Sequence, residues 1–401
     1  MADNTKIEWT DATWNPITGC SVVSPGCTNC YAMLLAGTRL SNHPSRIGLT
    51  RDTKGGPVWT GEVRFNEGWL DQPLRWRRPR MIFVCAHGDL FAEGVPDEWI
   101  DRVFAVMALA PQHVFQVLTK RADRMRAYLS GNRFGDGHAT ERIGYAAMQL
   151  VDEATGGDET KSPPWPYDPS RISSLLHGPT PDSPIVLYRR REIWPLPNVW
   201  LGVSAEDQRR ADERVPQLLA TPTAIRWVSA EPLLGPIDFR DIKPADRYEV
   251  DALTGYDFDQ GGVRNRLDWI VAGGESGHGA RPMHPSWVRS IRDQCAKTGV
   301  AFLFKQWGAL IESDQLFDRS ARSDAVMIYR DGQRWAPPRP LNFTDAAWLG
   351  DFLGHRYEQH SDGSTYYRIG KAGAGRILDG ATHDGFPVAN VGPSPIQEGN
   401  Q

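Results

Sequence analysis

Three cysteines lie within eleven residues near the amino terminus of this chain, at Cys20, Cys27 and Cys30. Cysteine thiolates are soft ligands, and three of them on one short loop suit two kinds of metal site. They can hold three irons of a [4Fe-4S] cluster and leave the fourth iron open. They can equally supply three ligands of a tetrahedral zinc site. Gly19 directly before them, and Pro25 and Gly26 between them, indicate a loop, where cysteines have no packing reason to cluster.

The two kinds of site differ in the fourth ligand of the metal. In the zinc alternative, His43 completes a structural Cys3His site in a protein that binds nucleic acid or another protein. In the cluster alternative the fourth iron stays free for a cofactor or substrate. A third alternative is a metal-free interaction protein, in which all three cysteines are replaceable by serine. Metal analysis of Cys20→Ala and His43→Ala variants distinguishes these alternatives.

Short, nearly all-apolar runs predict the strands that position the cysteine loop. Such runs are typical of parallel strands covered on both faces. They occur at 81–85, 114–118, 199–203, 225–229, 269–272 and 301–304, and a preceding strand is predicted near 13–17. Helical apolar spacing separates several of them, at 96–110, 205–219 and 285–298. This alternation predicts an α/β fold, a partial (β/α) TIM-type barrel of about six to seven parallel strands.

Two polar segments interrupt this alternation of strands and helices. Residues 130–197 are rich in proline and glycine and are interpreted as an insertion, and residues 242–266 as a smaller one. We therefore expect a barrel over residues 1–310 with these two insertions. Residues 311–390 are expected to form an irregular C-terminal extension, and residues 391–401 a flexible tail.

Polar residues follow nearly every predicted strand. The carboxyl ends of parallel strands form the active-site rim of a barrel, so these residues are candidates for binding a cofactor. They are His87, Asp89, Thr119, Lys120, Ser204, Glu206, Glu231, Glu275 and Lys305. Glu231 and Glu275 directly follow buried strands, where a carboxylate must be paired, hydrated or used by a ligand. Lys305 is expected either to bind an anionic group or to pair with one of these two glutamates.

The composition argues against a membrane-spanning protein and against a disulfide-stabilised one. The 401 residues are 40% hydrophobic, enough for a substantial core, and no window approaches the length of a membrane span. Five cysteines in a chain of this length do not form a disulfide framework, which favours a reducing, cytoplasmic location. The net charge of −4 gives no global attraction to nucleic acid, although basic runs at 75–80 and 189–191 offer local contacts to phosphate.

Six motifs in order resemble the phage and prophage three-cysteine protein family, which itself resembles radical SAM enzymes, with spore photoproduct lyase-like proteins among the nearest relatives. The motifs are 14–20 with 27–31, 116–121, 198–204, 229–236, 273–277 and 304–308. The resemblance covers about residues 5–125 and 197–310, together with 378–380. One difference is the cysteine spacing. Most radical SAM enzymes have three and then two residues between the cysteines, whereas this chain has six and then two.

The resemblance implies a partial TIM-type barrel with a [4Fe-4S] cluster on Cys20, Cys27 and Cys30, and S-adenosylmethionine on the open iron. Reductive cleavage of S-adenosylmethionine would give a 5′-deoxyadenosyl radical. By position, residues 87–89 and 119–121 are the best candidates for binding S-adenosylmethionine. Relatives that act on DNA lesions imply a nucleic acid or nucleotide substrate, with a peptide or a small molecule as alternatives. The resemblance also implies an electron donor, allows a protein partner, and implies the cytoplasm of the host cell if the chain is phage-encoded. The lack of a long apolar window predicts that no membrane is involved.

Overall fold

A seven-stranded parallel sheet forms the centre of the computed structural model. The structure describes residues 5–130, 138–176, 194–245, 249–259, 261–277, 279–312 and 365–388, with Gln315 and three short strands, Met327–Ile328, Arg334–Trp335 and Tyr357–Gln359. The sheet strands are β1 (Ala12–Trp14), β2 (Met81–Val84), β3 (Val114–Thr119), β4 (Val199–Ser204), β5 (Ile225–Ala230), β6 (Trp269–Gly273) and β7 (Ala301–Gln306). They are ordered β1 to β7 across the sheet as in the chain.

Every neighbouring pair in this sheet is parallel, and the sheet curls into a half-barrel. Each strand predicted from an apolar run is present, so the predicted fold class is confirmed. The runs are apolar because both faces of the sheet are covered. One face packs against the helices. The other carries a cluster of buried aromatic side chains that includes Trp9, Trp200, Trp227 and Trp269.

Helices connect the strands and cover the outer face. They are α1 (Tyr31–Gly37), α2 (Gln72–Arg75), α3 (Asp97–Leu109), α4 (Ala122–Ser130), α5 (Ala139–Thr155), α6 (Pro169–Leu176), α7 (Gln208–Leu219), α8 (Pro285–Thr298) and α9 (Gly370–Ala374). The predicted helices at 96–110, 205–219 and 285–298 correspond to α3, α7 and α8. Helix α7 begins three residues late because Asp207 is its N-cap and accepts a hydrogen bond from the backbone of Arg210.

Short elements surround the cysteine loop. Strand Ile17–Thr18 pairs with Arg64–Phe65, and the hairpin Thr50–Thr53 with Gly56–Trp59 packs against α1. Two 3-10 turns, Pro25–Cys27 and Glu67–Trp69, complete this part of the chain. The loop is therefore enclosed between the barrel and a small helix–hairpin unit.

The first insertion contributes α5 and α6 to the outer layer. A buried contact fixes α5 to the barrel: Asp101 of α3 accepts hydrogen bonds from Tyr128 of α4, at 2.5 Å, and from Arg142 of α5. The second insertion holds the short hairpin Val250–Asp251 with Tyr256–Asp257. Each insertion therefore contains ordered secondary structure in its described part.

The described part of the C-terminal region packs on the barrel. Strand Leu310–Glu312 pairs with Thr365–Arg368, which also pairs with Tyr357–Gln359. Gly385 donates a backbone hydrogen bond to Phe302, and Phe304 donates one to His383, so residues 383–385 cover the edge strand β7. Met327–Ile328 pairs with Arg334–Trp335. The predicted tail, 391–401, lies outside the described residues.

None of the helices in the described residues is both long and apolar enough to cross a bilayer.

Candidate functional site

A cavity of about 500 Å³ opens at the carboxyl ends of the parallel strands. Its wall includes residues at or just after the ends of all seven strands, and its floor includes Trp9 and Phe83 from the aromatic cluster. The volume lies within the range of small-molecule binding sites. The rim predicted from the sequence is therefore a single concave site.

The three clustered cysteines line this cavity together. Cys20 follows the strand Ile17–Thr18, Cys27 ends the 3-10 turn Pro25–Cys27, and Cys30 stands at the N-cap position of α1. All three are free thiols. Cys20 and Cys30 also pack against the small apolar cluster formed by α1 and the hairpin, which includes Trp59. The local structure thus places three thiol donors on the wall of the same cavity.

Charged groups flank the cysteine loop. Arg121, directly after β3, places Nη1 3.3 Å from the Sγ atom of Cys20. Burial raises the pKa of the Cys20 thiol to about 12; the Asp89 carboxylate also raises it, while Arg121 lowers it. A guanidinium at this position stabilises a thiolate, and therefore a metal-bound sulfur, more than a neutral thiol.

Three thiols are the type of donor that an iron–sulfur cluster takes. Three thiols on one loop leave one iron of a [4Fe-4S] cluster free, and the cavity beside them has room for a ligand to that iron. Within the described ranges, no three His, Cys, Asp or Glu side chains already form a group that could hold a metal ion. The fit therefore depends on the chemistry of the three donors and their shared cavity.

His43, the fourth ligand of the zinc alternative, is not among the residues that line the cavity. Its Nδ1 atom lies 2.7 Å from the hydroxyl of Ser45, and its ring packs 6.0 Å from that of Trp69. The structure does not bring His43 together with the three cysteines.

The residues that follow β2 and β3 form one wall. Asp89 accepts hydrogen bonds from the Thr119 hydroxyl at 2.7 Å and the Lys120 backbone at 3.1 Å, and pairs with Arg121 at 3.2 Å. His87 accepts a hydrogen bond from Arg46 through Nδ1 at 2.7 Å. Burial, and to a smaller extent the nearby Arg46 charge, lower the pKa of His87 to about 4. His87 is therefore neutral near pH 7, with its proton on Nε2.

The residues that follow β5, β6 and β7 form the opposite wall, together with Ser204 from β4. Lys305 pairs with Glu231 at 2.8 Å, which is the structural pairing anticipated as an alternative to anion binding. Glu275 binds Arg281 through both carboxylate oxygens, at 2.6 and 2.8 Å, and accepts a hydrogen bond from Asn29 at 2.9 Å. Both glutamates thus line the cavity while their charges are already paired.

Glu206 is the one predicted rim residue that does not line the cavity. Its side chain is fully buried and pairs with Arg214 at 3.0 Å and with Lys120 at 3.7 Å. Burial raises the pKa of Glu206, but Lys120, Arg214 and a hydrogen bond from Ser24 together hold it below its usual value. The carboxylate is charged and its contacts are to protein groups.

The profile of one protein family matches residues 4–387. The chain belongs to this family, described as protein of unknown function (DUF5131). No curated protein and no solved structure matches the chain. The DUF5131 description supplies no activity, so the function must be argued from the cavity.

Three residues contact or belong to the cysteine loop in this DUF5131 chain, and sequence reasoning gave a role to only one of them, Arg121, as part of 119–121. Asn29 lies inside the loop itself, Arg121 directly follows two predicted rim residues, and Arg281 lies six residues beyond Glu275. Only Arg121 carried a signal, because it continues the polar residues that follow β3. The contacts of Asn29 and Arg281 with Glu275 depend on how the loops fold back.

The basic run at 75–80 lies away from the cavity. It directly precedes Met81, the first residue of β2, and so stands at the amino-terminal edge of the sheet, opposite the cysteine loop. Within it, Arg75 pairs with Asp71 and Arg80 stacks on Trp76. The second basic run, 189–191, lies outside the described residues.

Proposed function

We propose that this chain is a radical SAM-like iron–sulfur enzyme. The observation that carries the proposal is the shared position of the three cysteines. They follow the first strand of a parallel half-barrel and line the same cavity as rim residues from every other strand. A loop after the first strand is a strong position for a cofactor, because catalytic groups of such barrels lie at the carboxyl ends of the strands.

Cys20, Cys27 and Cys30 would hold the [4Fe-4S] cluster as thiolates. A cluster held there would supply, when reduced, the one electron needed to cleave the C–S bond of S-adenosylmethionine to methionine and a 5′-deoxyadenosyl radical, which would take a hydrogen atom from the substrate. Arg121 stabilises the sulfur charge at Cys20 through its 3.3 Å contact. The apolar cluster of α1 and the hairpin shields Cys20 and Cys30 from water on one side.

The cavity wall supplies groups for S-adenosylmethionine. His87, neutral and protonated on Nε2, donates a hydrogen bond without adding charge next to a sulfonium. Lys120 and Ser204 add an ammonium and a hydroxyl donor, whereas the Thr119 hydroxyl is already donated to Asp89. Asp89 acts through these neighbours, because its carboxylate is already bonded to Thr119 and to the Lys120 backbone.

The substrate proposed from the family resemblance is a nucleic acid or a nucleotide. The reaction also needs an electron donor, since the electron is consumed when the sulfonium bond breaks. The five free thiols suit a reducing, cytoplasmic location, in a host cell if the chain is phage-encoded. The run at 75–80 contributes nothing to this substrate site, because it lies at the far edge of the sheet.

Anaerobic reconstitution with iron and sulfide tests the proposal. The wild-type protein is expected to become brown and to hold about four irons per chain. Cys20→Ala, Cys27→Ala and Cys30→Ala variants should lose the cluster, whereas Cys295→Ala, which removes a buried thiol of α8 far from the loop in sequence, should keep it. A colourless protein that binds one zinc and releases it on His43→Ala would favour the zinc alternative instead. Retention of function with all three cysteines replaced by serine would favour the metal-free alternative.

A further inference from the structure

Three of the six residues between Cys20 and Cys27 are hydrogen-bonded to residues that follow three different strands. Ser21 accepts a hydrogen bond from Arg121, after β3, at 2.5 Å through its hydroxyl. The Ser24 hydroxyl donates to Glu206, after β4, at 2.5 Å. The carbonyl of Pro25 accepts a hydrogen bond from Arg281, in the loop after β6, at 3.0 Å. The unusual cysteine spacing is therefore occupied by anchoring contacts.

Glu206 makes the deepest of these contacts. Its carboxylate is fully buried, and the Oε1 atom that accepts from Ser24 also packs against Gly26. A Cβ at Gly26 would lie 2.3 Å from Oε1, so the backbone of the spacer approaches the carboxylate as closely as glycine allows. Arg214 fixes the other oxygen at 3.0 Å and also donates to the carbonyl of Ser204. Arg214 thus fixes one oxygen of the Glu206 carboxylate, and the other oxygen fixes the cysteine loop.

The contact between Ser24 and Glu206 lies next to Cys27. The backbone N–H of Cys27 donates to the carbonyl of Ser24 at 2.9 Å, which closes the turn that carries Cys27. The hydroxyl of Ser24 lies 3.8 Å from the Sγ atom of Cys27. A change at Glu206 is therefore transmitted through one residue to a proposed metal ligand.

We propose that Glu206 is the positioning residue of the cysteine loop, and that the long spacer exists to reach it. The inference rests on the proposed metal site and assigns Glu206 a role other than binding the cofactor. Glu206 fixes Ser24 and Gly26, and through them the turn at Cys27, before any metal arrives. Preorganised ligands lose less conformational freedom on binding a metal, so the cluster is retained longer.

Two variants and a matched control test this role. Glu206→Gln removes the charge that accepts from Ser24, and Ser24→Ala removes the donor. Ser24→Thr keeps the hydroxyl. Glu213→Gln removes one carboxylate charge from exposed ion pairs on α7 and serves as the control. Thermal unfolding of each variant shows whether the chain remains folded.

The first measurement needs no metal. Hydrogen exchange of the peptide that covers residues 20–31 is expected to speed up by about tenfold in Glu206→Gln and Ser24→Ala, since each loses a charge-assisted hydrogen bond. It should be unchanged in Ser24→Thr and Glu213→Gln. Equal exchange in Glu206→Gln and wild type would overturn the inference, whether or not the chain binds iron.

The second measurement uses reconstituted protein and the rate of iron release to a chelator. Glu206→Gln and Ser24→Ala should release iron about tenfold faster than wild type and shift the electron paramagnetic resonance signal of the reduced cluster. Faster loop exchange with unchanged iron release and an unchanged signal would overturn the link to the metal. Failure of the wild type to bind iron would instead reject the proposed function. The role of Glu206 in positioning the loop would then be decided by the hydrogen-exchange measurement.

Discussion

Lys305 Nζ lies 2.8 Å from Glu231 Oε1, an ion pair that joins the ends of β7 and β5 across β6 inside the cavity. The strand between them passes beneath the pair at Gly273, where a Cβ would lie 2.8 Å from the same oxygen. Ser229 supports the second carboxylate oxygen at 3.2 Å. The pair is largely shielded from solvent, with 18% and 12% of the two side chains exposed.

Removing both partners of this pair should cost less than the sum of the losses from removing each one alone. Lys305→Met or Glu231→Gln each leaves a polar group without its partner, and we expect each to destabilise the protein by about 2–4 kcal/mol. The double variant should be less destabilised than the sum of the two, because neither charge is then left alone. Urea unfolding of the four proteins measures the coupling. Additive losses would mean that the pair makes no net interaction.

The neutral state of His87 predicts acid sensitivity. The pKa of His87 is lowered to about 4 in the folded protein, whereas an unfolded chain protonates histidine near pH 6.5. Above pH 6.5 both states are neutral. As the pH falls from 6.5 to 4, only the unfolded state gains the proton, so the folded state loses stability, by about 3 kcal/mol at pH 4.

The variant His87→Asn should abolish this part of the pH dependence. Unfolding free energies measured between pH 7 and 4 are expected to fall less steeply in the variant than in wild type. Parallel curves would show that His87 is protonated equally in the folded and unfolded states.

The fold could be predicted because parallel strands that are buried on both faces occur in the sequence as short, nearly all-apolar runs. Each of the six apolar runs, such as 199–203 and 225–229, corresponds to a strand of the sheet, and the strand predicted near 13–17 overlaps β1. The rim could be predicted for the same reason, since the residue after an apolar run must lie at the carboxyl end. His87, Thr119, Glu231 and Lys305 accordingly share one cavity.

Pairings within the rim could not be predicted. Sequence position places Glu206 and Glu275 at the rim equally, but only Glu275 lines the cavity, because the side chain of Glu206 points to the cysteine loop and Arg214. Lys305 pairs with Glu231 and Arg281 takes Glu275. Such choices depend on side-chain direction at loop ends, which a single sequence does not record.

A glycine in the spacer should be as sensitive as a ligand. In Gly26→Ala the new methyl group meets the Glu206 carboxylate, so the loop must move or the carboxylate must give way. We expect a lower thermal unfolding temperature and less bound iron after reconstitution. Gly68→Ala is the matched control, since a Cβ there meets no atom within 4 Å. Similar behaviour of the two variants would argue against a close contact at Gly26.

The buried carboxylate of Asp101 should govern how α5 is attached. Asp101→Asn weakens the hydrogen bonds from Tyr128 and Arg142 and leaves a guanidinium without its charge partner, at an expected cost of about 1–3 kcal/mol. Hydrogen exchange should rise in Ala139–Thr155 more than in the strands of the sheet. Uniform protection in α5 would indicate that apolar packing alone holds the first insertion to the barrel.

The most direct test of the account is the formation of 5′-deoxyadenosine from S-adenosylmethionine by reconstituted protein under dithionite, quantified by chromatography. The account predicts product in the wild type and in Cys295→Ala, and only background in Cys27→Ala. A wild-type protein that carries its full cluster yet forms no 5′-deoxyadenosine, or a Cys27→Ala variant that forms as much as wild type, would contradict it.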